Sequence, residues 1–293
     1  MSPSYIISCG STADLTAEEL NAHDIRCVPY HYSVDGVEYT DDRRLPMSDF
    51  YAAMVAGADV HTAQVNVEEF RQYFRPFLES GQDILHVALS SGMSGSYNSA
   101  RIAADLLSEE YPDRRIRIVD SLGASSGTGM LTLALAAARE AGKTVDEAYT
   151  WAENNKRRLH YWFCSSDLTF YVKGGRITRA AGWFGTILKI CPVLNVDREG
   201  RMVPRFKVRG KKNALHELTA QMLGHADGGA AYDGNCCICH SDCRADAEAV
   251  AQEIRKVFPH VREIPIYEIS PTIGCHTGPG TVALFFWGDE REE

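Results

Sequence analysis

The fold of this chain is decided by one stretch in its first third, Ile84-Leu85-His86-Val87-Ala88-Leu89-Ser90-Ser91-Gly92-Met93-Ser94-Gly95-Ser96-Tyr97-Asn98-Ser99-Ala100. The run from 84 to 89 is short and apolar, which is typical of a strand buried on both faces. Small hydroxyl and glycine residues follow, and helical spacing then continues from Tyr97 to Leu107. The stretch therefore predicts a strand, a Ser/Gly turn and the N-terminus of a helix.

The turn of this unit is a candidate anion site. Backbone N–H groups at the start of a helix are free and favour an anion, and Ser94 and Ser96 would add hydroxyl donors. A carboxylate or a phosphate would suit such a turn. A capped turn that binds nothing explains the same residues, and the local sequence leaves both interpretations open.

The alternation of strand and helix continues on both sides of this unit. Strands are predicted at 5–8, 25–34 and 116–119, and helices at 47–56 with Ser48 as N-cap, 67–80 and 130–141. This order predicts a mostly parallel sheet flanked by helices. Ligands of such sheets lie at the carboxyl ends of the strands, where polar turns converge. Thr62, just before the helix at 67–80, is therefore a second candidate donor, although a role in capping that helix explains it as well.

The second half of the chain has a different pattern. An apolar strand begins at Tyr161, and a β-hairpin is predicted from 187–196 and 200–208. Strands at 237–240, 264–269 and 282–287 accompany helices at 213–223 and 244–258. We expect an N-terminal α/β domain over residues 1–157, which carries the Ser/Thr-rich turns. A C-terminal α/β domain with a mixed or antiparallel sheet is expected over 158–293.

Composition narrows the function classes. The chain has 293 residues, 45% of them apolar and 24% charged, as expected of a globular protein with room for two cores. The longest apolar runs are far shorter than the ~20 residues of a membrane span, and the N-terminus does not resemble a signal peptide. Nine cysteines in such a chain indicate reduced thiols and a cytoplasmic location. A net charge of −9 argues against a general nucleic-acid binder.

Other segments carry candidate ligand-binding, catalytic, metal-binding or docking residues. His276 is predicted to lie in a Gly/Pro-rich loop between two strands, where it could bind a carboxylate or simply a local partner. Ser94 is not in a Gly-x-Ser-x-Gly elbow, and the chain has no P-loop and no Gly-x-Gly-x-x-Gly motif. The cysteine-rich segment 236–243 could hold zinc, but buried or edge cysteines explain it better. Basic residues form two clusters, which could be a solvated face or a docking patch for an acidic partner. Their members are Arg176, Arg179, Arg205, Lys207, Arg209, Lys211 and Lys212.

Seven segments, in this order, resemble the DegV family over nearly the whole chain. They are Ser11-Thr12-Ala13-Asp14-Leu15, Thr62-Ala63-Gln64, Ser90-Ser91-Gly92-Met93-Ser94-Gly95-Ser96-Tyr97, Asp120-Ser121, Lys173-Gly174-Gly175-Arg176-Ile177, Val208-Arg209-Gly210-Lys211-Lys212 and His276-Thr277-Gly278-Pro279-Gly280. Each segment alone is a weak signal. Their shared order and spacing make a strong one.

The resemblance implies a two-domain α/β protein that holds a long-chain fatty acid in an apolar tunnel between the domains. Carried over by motif, Thr62, Ser94 and His276 would contact the fatty-acid carboxylate. Arg176 and Arg209 would contact a partner or a phosphate. The family's best-known members present the acid to a separate kinase, which phosphorylates the carboxylate to an acyl phosphate. By this resemblance the chain is a lipid-binding carrier, with no catalytic residue, metal or cofactor of its own.

Two departures from the family pattern lie close to the expected head group. Many relatives have Thr-Asp-Ser where this chain has Cys9-Gly10-Ser11, and Thr-Ser-Gln-Pro where it has Thr62-Ala63-Gln64-Val65. They bear on the identity of the ligand more than on the fold. Two other function classes remain as alternatives. One is an enzyme performing phosphoryl or acyl transfer at Ser94 and His276, and the other is a regulatory module stabilised by zinc at residues 236–243.

Overall fold

The structure is a computed structural model that describes residues 5–177 and 190–292. The predicted start of the hairpin at 187–189 and the basic residue Arg179 lie outside these residues. Within them the strands are β1 (Tyr5–Gly10), β2 (Ile25–Val28), β3 (His31–Val34), β4 (Val37–Thr40), β5 (Val60–Ala63), β6 (Asp83–Ala88), β7 (Ile116–Asp120), β8 (Leu159–Cys164), β9 (Ile190–Val196), β10 (Met202–Arg209), β11 (Cys236–His240), β12 (Ile266–Glu268) and β13 (Val282–Trp287).

The α-helices of the same residues alternate with these strands. They are α1 (Ala17–Ala22), α2 (Met47–Val55), α3 (Val67–Glu79), α4 (Ser96–Glu110), α5 (Ser125–Glu140), α6 (Val145–Asn155), α7 (Thr169–Lys173), α8 (Lys211–His225), α9 (Arg244–Val257) and α10 (Pro271–Thr277). The predicted helix at 47–56 begins at Met47 as expected, but its predicted N-cap was wrong, because Pro46 and not Ser48 occupies that position. Helix α5 begins at Ser125, within the Ser/Gly-rich segment that precedes the predicted helix at 130–141.

The first sheet is the parallel sheet that the opening stretch predicts. Its strands lie in the order β2-β1-β6-β7, and all neighbours are parallel. Adjacent residues of β6 point to opposite faces, as the period of two in a strand requires. Ile84 packs in the core formed with α3 and α4, whereas Leu85 packs in the core formed with α5 and α6. The apolar run of β6 is thus explained by burial on both faces.

A small antiparallel sheet, β4-β3-β5, was not predicted. The sequence analysis assigned one strand to residues 25–34, which was wrong because the chain is divided there into β2 and β3. Pro29 lies at the break and has no backbone N–H with which to continue a ladder. β3 then pairs with β5, so that Tyr32 lies opposite Thr62. Thr62 is therefore held in a strand and not at a helix cap.

The last six strands form a mixed sheet in the order β10-β9-β8-β13-β11-β12. All of its pairs are antiparallel except β11 with β12, and the predicted hairpin is the pair β9–β10. Helices α8 and α9 cover one face. This confirms the predicted fold class, a parallel sheet with helices followed by a mixed sheet. The division into domains at residues 157 and 158 stays a prediction.

Helix α5 joins the two larger sheets. Its buried Leu131 and Leu135 belong to the same core cluster as Tyr161 and Phe285 of the mixed sheet. The close approach depends on Gly127, because a Cβ at that position would lie 2.2 Å from the ring of Tyr161 and 2.7 Å from that of Phe285. The space between the sheets beside α5 holds the candidate site. No helix among the described residues is long and apolar enough to cross a membrane.

Candidate functional site

A cavity of about 340 Å³ lies between the polar turns of the parallel sheet and the inner face of the mixed sheet. This volume is within the range of about 300–1,000 Å³ that is usual for small-ligand sites. One wall comes from the end of β5 and from the turns after the parallel strands β6 and β7, and the other from β8, β9, β11 and β13. The site is therefore at the carboxyl ends of the parallel strands, where the sequence analysis expected a ligand.

Most of the cavity wall is apolar. It includes Leu89 and Met93 from the first part of the chain and Phe163, Val196, Ile273 and Phe285 from the second. Phe163 and Phe285 project from the mixed sheet, and each is at least nine-tenths buried. The sequence analysis assigned none of these residues, because apolar side chains that line a cavity look in sequence like those that fill a core.

One part of the wall is polar, and it brings together Thr62 and His276. The Thr62 hydroxyl and Nε2 of His276 form a hydrogen bond of 2.8 Å, although the residues are 214 positions apart in the chain. The prediction that His276 lies in a loop was wrong, because it lies in the last turn of α10. Pro271 at the start of α10 is in the position where proline favours a helix.

Ser94 lines the same cavity from the turn between β6 and α4. Its backbone N–H donates to the Ser90 carbonyl at 3.0 Å, and its hydroxyl accepts from the N–H of Ser96 at 3.2 Å. The hydroxyl also donates to Oγ of Ser96 at 3.1 Å. Ser94 thus hydrogen-bonds within the turn and faces the cavity, and its role in binding an anion stays a prediction.

His276 is neutral at physiological pH. Burial and, to a smaller extent, the positive charge of Arg176 lower the pKa of His276 to about 4. Nδ1 is buried and has no hydrogen-bond partner among the described residues. The tautomer that carries its proton on Nε2 can therefore donate a hydrogen bond at the cavity wall, where Thr62 is the present partner.

Among the described residues that line this cavity, Arg176 is the one with a permanently cationic side chain. Its Nε donates to the Met93 carbonyl at 3.2 Å and its Nη1 to the Gly174 carbonyl at 2.5 Å. Burial lowers the pKa of Arg176, but a guanidinium remains charged at neutral pH. The structure therefore places a fixed positive charge at the edge of the cavity, near His276.

Arg209 is not brought to this cavity. It is exposed at the end of β10, where its carbonyl accepts from the side-chain amide of Asn213 at 2.8 Å. Arg176 and Arg209 were both predicted to contact a partner or a phosphate, but the structure places only Arg176 at the cavity. Any role of Arg209 in contacting a partner stays a prediction.

Behind the cavity lies a buried carboxylate that the sequence analysis did not assign. Asp14 accepts from the Ser125 hydroxyl, which lines the cavity, and from the Ser270 N–H at 3.0 Å. Burial raises the pKa of Asp14 to about 7, and the hydrogen bonds from Ser125 and Ser270 oppose that shift. Asp14 also lines a second, more polar cleft of about 930 Å³, so it lies between the two.

The departure at Gly10 has a steric explanation. A Cβ at position 10 would lie 2.6 Å from Cε2 of Tyr30, whose ring lines the cavity. Tyr30 thus occupies the space that a side chain at position 10 would need.

The cysteine-rich segment does not converge on a common centre. Cys237 packs in the core next to α5, whereas Cys236 packs in the core covered by α8 and α9, as expected for adjacent residues of a strand. All nine cysteines are free. The arrangement agrees with buried cysteines, the interpretation that the sequence favoured.

A family model described as "Uncharacterised protein, DegV family" matches residues 6–289. The chain belongs to the DegV family. It is 37% identical over 290 residues to a DegV domain-containing protein of Clostridium perfringens, covering 98% of this chain and 99% of that protein.

Solved DegV structures have the same fold. A fatty-acid-binding DegV family protein from Thermus thermophilus superposes on this chain with a TM-score of 0.88 at 27% sequence identity. The superposition covers 98% of this chain and 100% of that one. The fatty acid kinase B3 protein of Streptococcus pneumoniae, loaded with linoleic acid, has a TM-score of 0.84 at 21% identity, with coverage of 98% and 100%. At that identity the likeness concerns the fold alone.

Proposed function

We propose that this chain binds a long-chain fatty acid in the cavity between the two sheets and presents its carboxylate to a separate kinase. The observation that carries the proposal is an apolar cavity with one polar wall, at which Thr62 and His276 are in hydrogen-bond contact. The fatty-acid binding of the Thermus thermophilus relative supports this choice of ligand. The residues on each side of the site belong to the two proposed domains, 1–157 and 158–293.

The carboxylate is proposed to bind at Thr62, Ser94 and His276. A buried carboxylate must be hydrogen-bonded or neutralised, because burying it unpaired is costly. Thr62 and Ser94 supply hydroxyl donors, and His276 supplies Nε2–H. Arg176 supplies the compensating charge, while its Nε and Nη1 donate to the Met93 and Gly174 carbonyls.

The acyl chain is proposed to lie along the aromatic and aliphatic wall. Each buried CH₂ group stabilises the complex by about 0.8 kcal/mol, so affinity rises with chain length until the cavity is filled. Phe163 and Phe285 have few rotamers and would form a fixed surface for the chain. We expect the ligand to be selected by length at this wall and by its charge at Thr62 and His276.

Phosphorylation of the bound fatty acid is proposed to be catalysed by a partner protein and not by this chain. A carboxylate oxygen attacks the γ-phosphorus of ATP, ADP leaves, and an acyl phosphate forms. This chain would hold the carboxylate while a cytoplasmic kinase subunit supplies ATP and its magnesium. An enzyme with Ser94 as nucleophile is less well supported, because Nε2 of His276 is bonded to Thr62 while the Ser94 hydroxyl is bonded within its own turn.

Native mass spectrometry of the purified protein, followed by lipid extraction, tests the ligand. We expect a mass excess equal to one fatty acid, which extraction removes. Thr62→Val and His276→Ala should each weaken the uptake of added fatty acid by about tenfold or more, because each removes a donor to a charged group. A protein that neither carries nor takes up fatty acid would overturn the proposal.

A second experiment tests the transfer to a kinase. Loaded protein is incubated with ATP and magnesium, with and without a fatty acid kinase catalytic subunit, and acyl phosphate is trapped as the hydroxamate. We expect product only when the kinase is present. Product formed by this chain alone, or a covalent adduct on Ser94, would instead support the enzyme alternative.

A further inference from the structure

A second cluster of chemically active side chains lies away from the cavity, at the far end of the mixed sheet. It consists of His160 in β8, His225 in the last turn of α8 and Asp289 just after β13. Their possible ligand atoms, one from each side chain, all lie within 4.8 Å of one another. Among the described residues, these three form the group of histidine, cysteine or acidic side chains that lie close enough together to share one metal ion.

The backbone fixes these three elements to one another. The Asp289 N–H donates to the His225 carbonyl at 3.1 Å, and the Gly288 N–H donates to the Arg158 carbonyl at 2.8 Å. Gly288 is needed for this approach, because a Cβ there would lie 2.0 Å from the His225 carbonyl oxygen. The side chains are therefore presented from a rigid frame, as a metal site requires.

The distances match those between ligands of a small divalent ion. Two atoms that are each 2.0–2.1 Å from a tetrahedral zinc ion lie about 3.3 Å apart. Asp289 Oδ1 lies 2.9 Å from His160 Nε2 and 3.3 Å from His225 Nδ1. His160 Nε2 also lies 3.0 Å from the Asp289 carbonyl oxygen, a contact that a bound ion would replace. The imidazole ring centroids are 5.0 Å apart and their planes differ by 24°. Two imidazoles and one carboxylate are a ligand set that proteins use for zinc, with water completing the coordination.

Access and charge also suit a cation. The Asp289 side chain is 59% exposed, whereas that of His160 is 4% exposed, so an ion could enter from the Asp289 side. The nearby positive charge of Arg158 is already paired, since its guanidinium donates to both carboxylate oxygens of Asp227 at 2.9 and 3.0 Å. Arg291 donates to four backbone carbonyls. The carboxylate of Asp289 is therefore left to balance the positive charge of a bound ion.

We propose that His160, His225 and Asp289 bind a first-row divalent transition ion, zinc by preference. The ion links β8, the end of α8 and the segment after β13. It lies on the face of the mixed sheet covered by α8, while the fatty-acid cavity is on the opposite face. The sequence analysis predicted no metal, because these ligands are separated by 65 and 64 positions and form no motif.

The test uses the full chain without a histidine tag, stripped with a chelator and kept reduced. Zinc is titrated in against a chromophoric chelator, and cobalt(II) is used as a spectroscopic probe. We expect one ion per chain and a visible cobalt spectrum without the thiolate-to-cobalt charge-transfer band that cysteine ligands would give. His225→Ala and Asp289→Ala should each weaken zinc binding at least tenfold and abolish the zinc-dependent rise in Tm.

The matched control is His216→Ala, which removes an exposed histidine that contacts the single carboxylate of Glu253. This variant should bind zinc like the wild type. The proposal is overturned if the stripped protein binds no zinc at micromolar concentration, if His225→Ala and Asp289→Ala bind it unchanged, or if the cobalt spectrum shows thiolate ligation. None of these results depends on fatty-acid binding, which is measured separately.

Discussion

Gly174→Ala should displace His276 without removing it. Gly174 caps the C-terminus of α7 with φ of −72°, a conformation that alanine adopts freely. A Cβ at this position would nevertheless lie 2.2 Å from Nδ1 and 3.1 Å from Cε1 of His276. The imidazole ring must therefore withdraw by about 1 Å to reach an ordinary contact distance. A shift of that size is enough to break the 2.8 Å bond between His276 and Thr62.

The expected magnitude follows from the hydrogen bond that the ligand loses. A hydrogen bond to a charged group contributes about 1.5–3 kcal/mol, so misplacing Nε2 should weaken fatty-acid binding by roughly 30-fold. The free energy of unfolding of the ligand-free protein should change by less than about 1 kcal/mol, because the ring can turn toward the cavity. The effect would thus be on affinity far more than on stability.

The assay is the dissociation constant for a fluorescent fatty acid, measured beside urea unfolding of the delipidated protein. Gly224→Ala is the matched control, since a Cβ at that position has no neighbour within 4 Å and lies in α8. We expect the control to bind normally. If Gly174→Ala binds fatty acid as tightly as the wild type while remaining folded, the assignment of His276 to the head group is refuted.

Two further predictions concern stability. Burial lowers the pKa of His86 to about 3. Between pH 3 and about pH 6.5 the imidazole is therefore protonated in the unfolded chain but not in the folded chain. The free energy of unfolding falls as the pH falls through this range. His86→Phe should reduce the loss of unfolding free energy between pH 8 and pH 5 by about 2 kcal/mol in urea titrations, and an unchanged loss would contradict this. Arg291→Met should lower the free energy of unfolding by about 3 kcal/mol, because the Leu122, Val196 and Asp197 carbonyls lose a buried donor. The same change at the exposed Arg255 should have little effect, and equal losses at both positions would count against the buried donor as the cause.

The elements that sequence predicted well are those with a strong local pattern. The β6 strand and α4 are defined by an apolar run, a Ser/Gly turn and helical spacing, and both formed as expected. Thr62 and His276 were candidates from their positions near polar or Gly/Pro-rich turns, each with a structural alternative, and only the family resemblance joined them in one head-group site. Their meeting depends on the pairing of β3 with β5 and on α10, which the sequence analysis missed.

Other features were invisible because they depend on packing between distant segments. The apolar pattern of residues 25–34 continues across the proline after β2, so it predicts one strand where the structure has two. The raised pKa of Asp14 results from burial by elements far apart in the chain. The same holds for the apolar wall around Phe285 and for the group formed by His160, His225 and Asp289.

The most direct test of the central claim is a crystal structure of the protein with a bound long-chain fatty acid. The account predicts that the carboxylate lies within hydrogen-bond distance of the Thr62 hydroxyl and Nε2 of His276, with the acyl chain against Phe163 and Phe285. A carboxylate bound at the opposite end of the cavity, or a fatty acid bound outside it, would contradict the account.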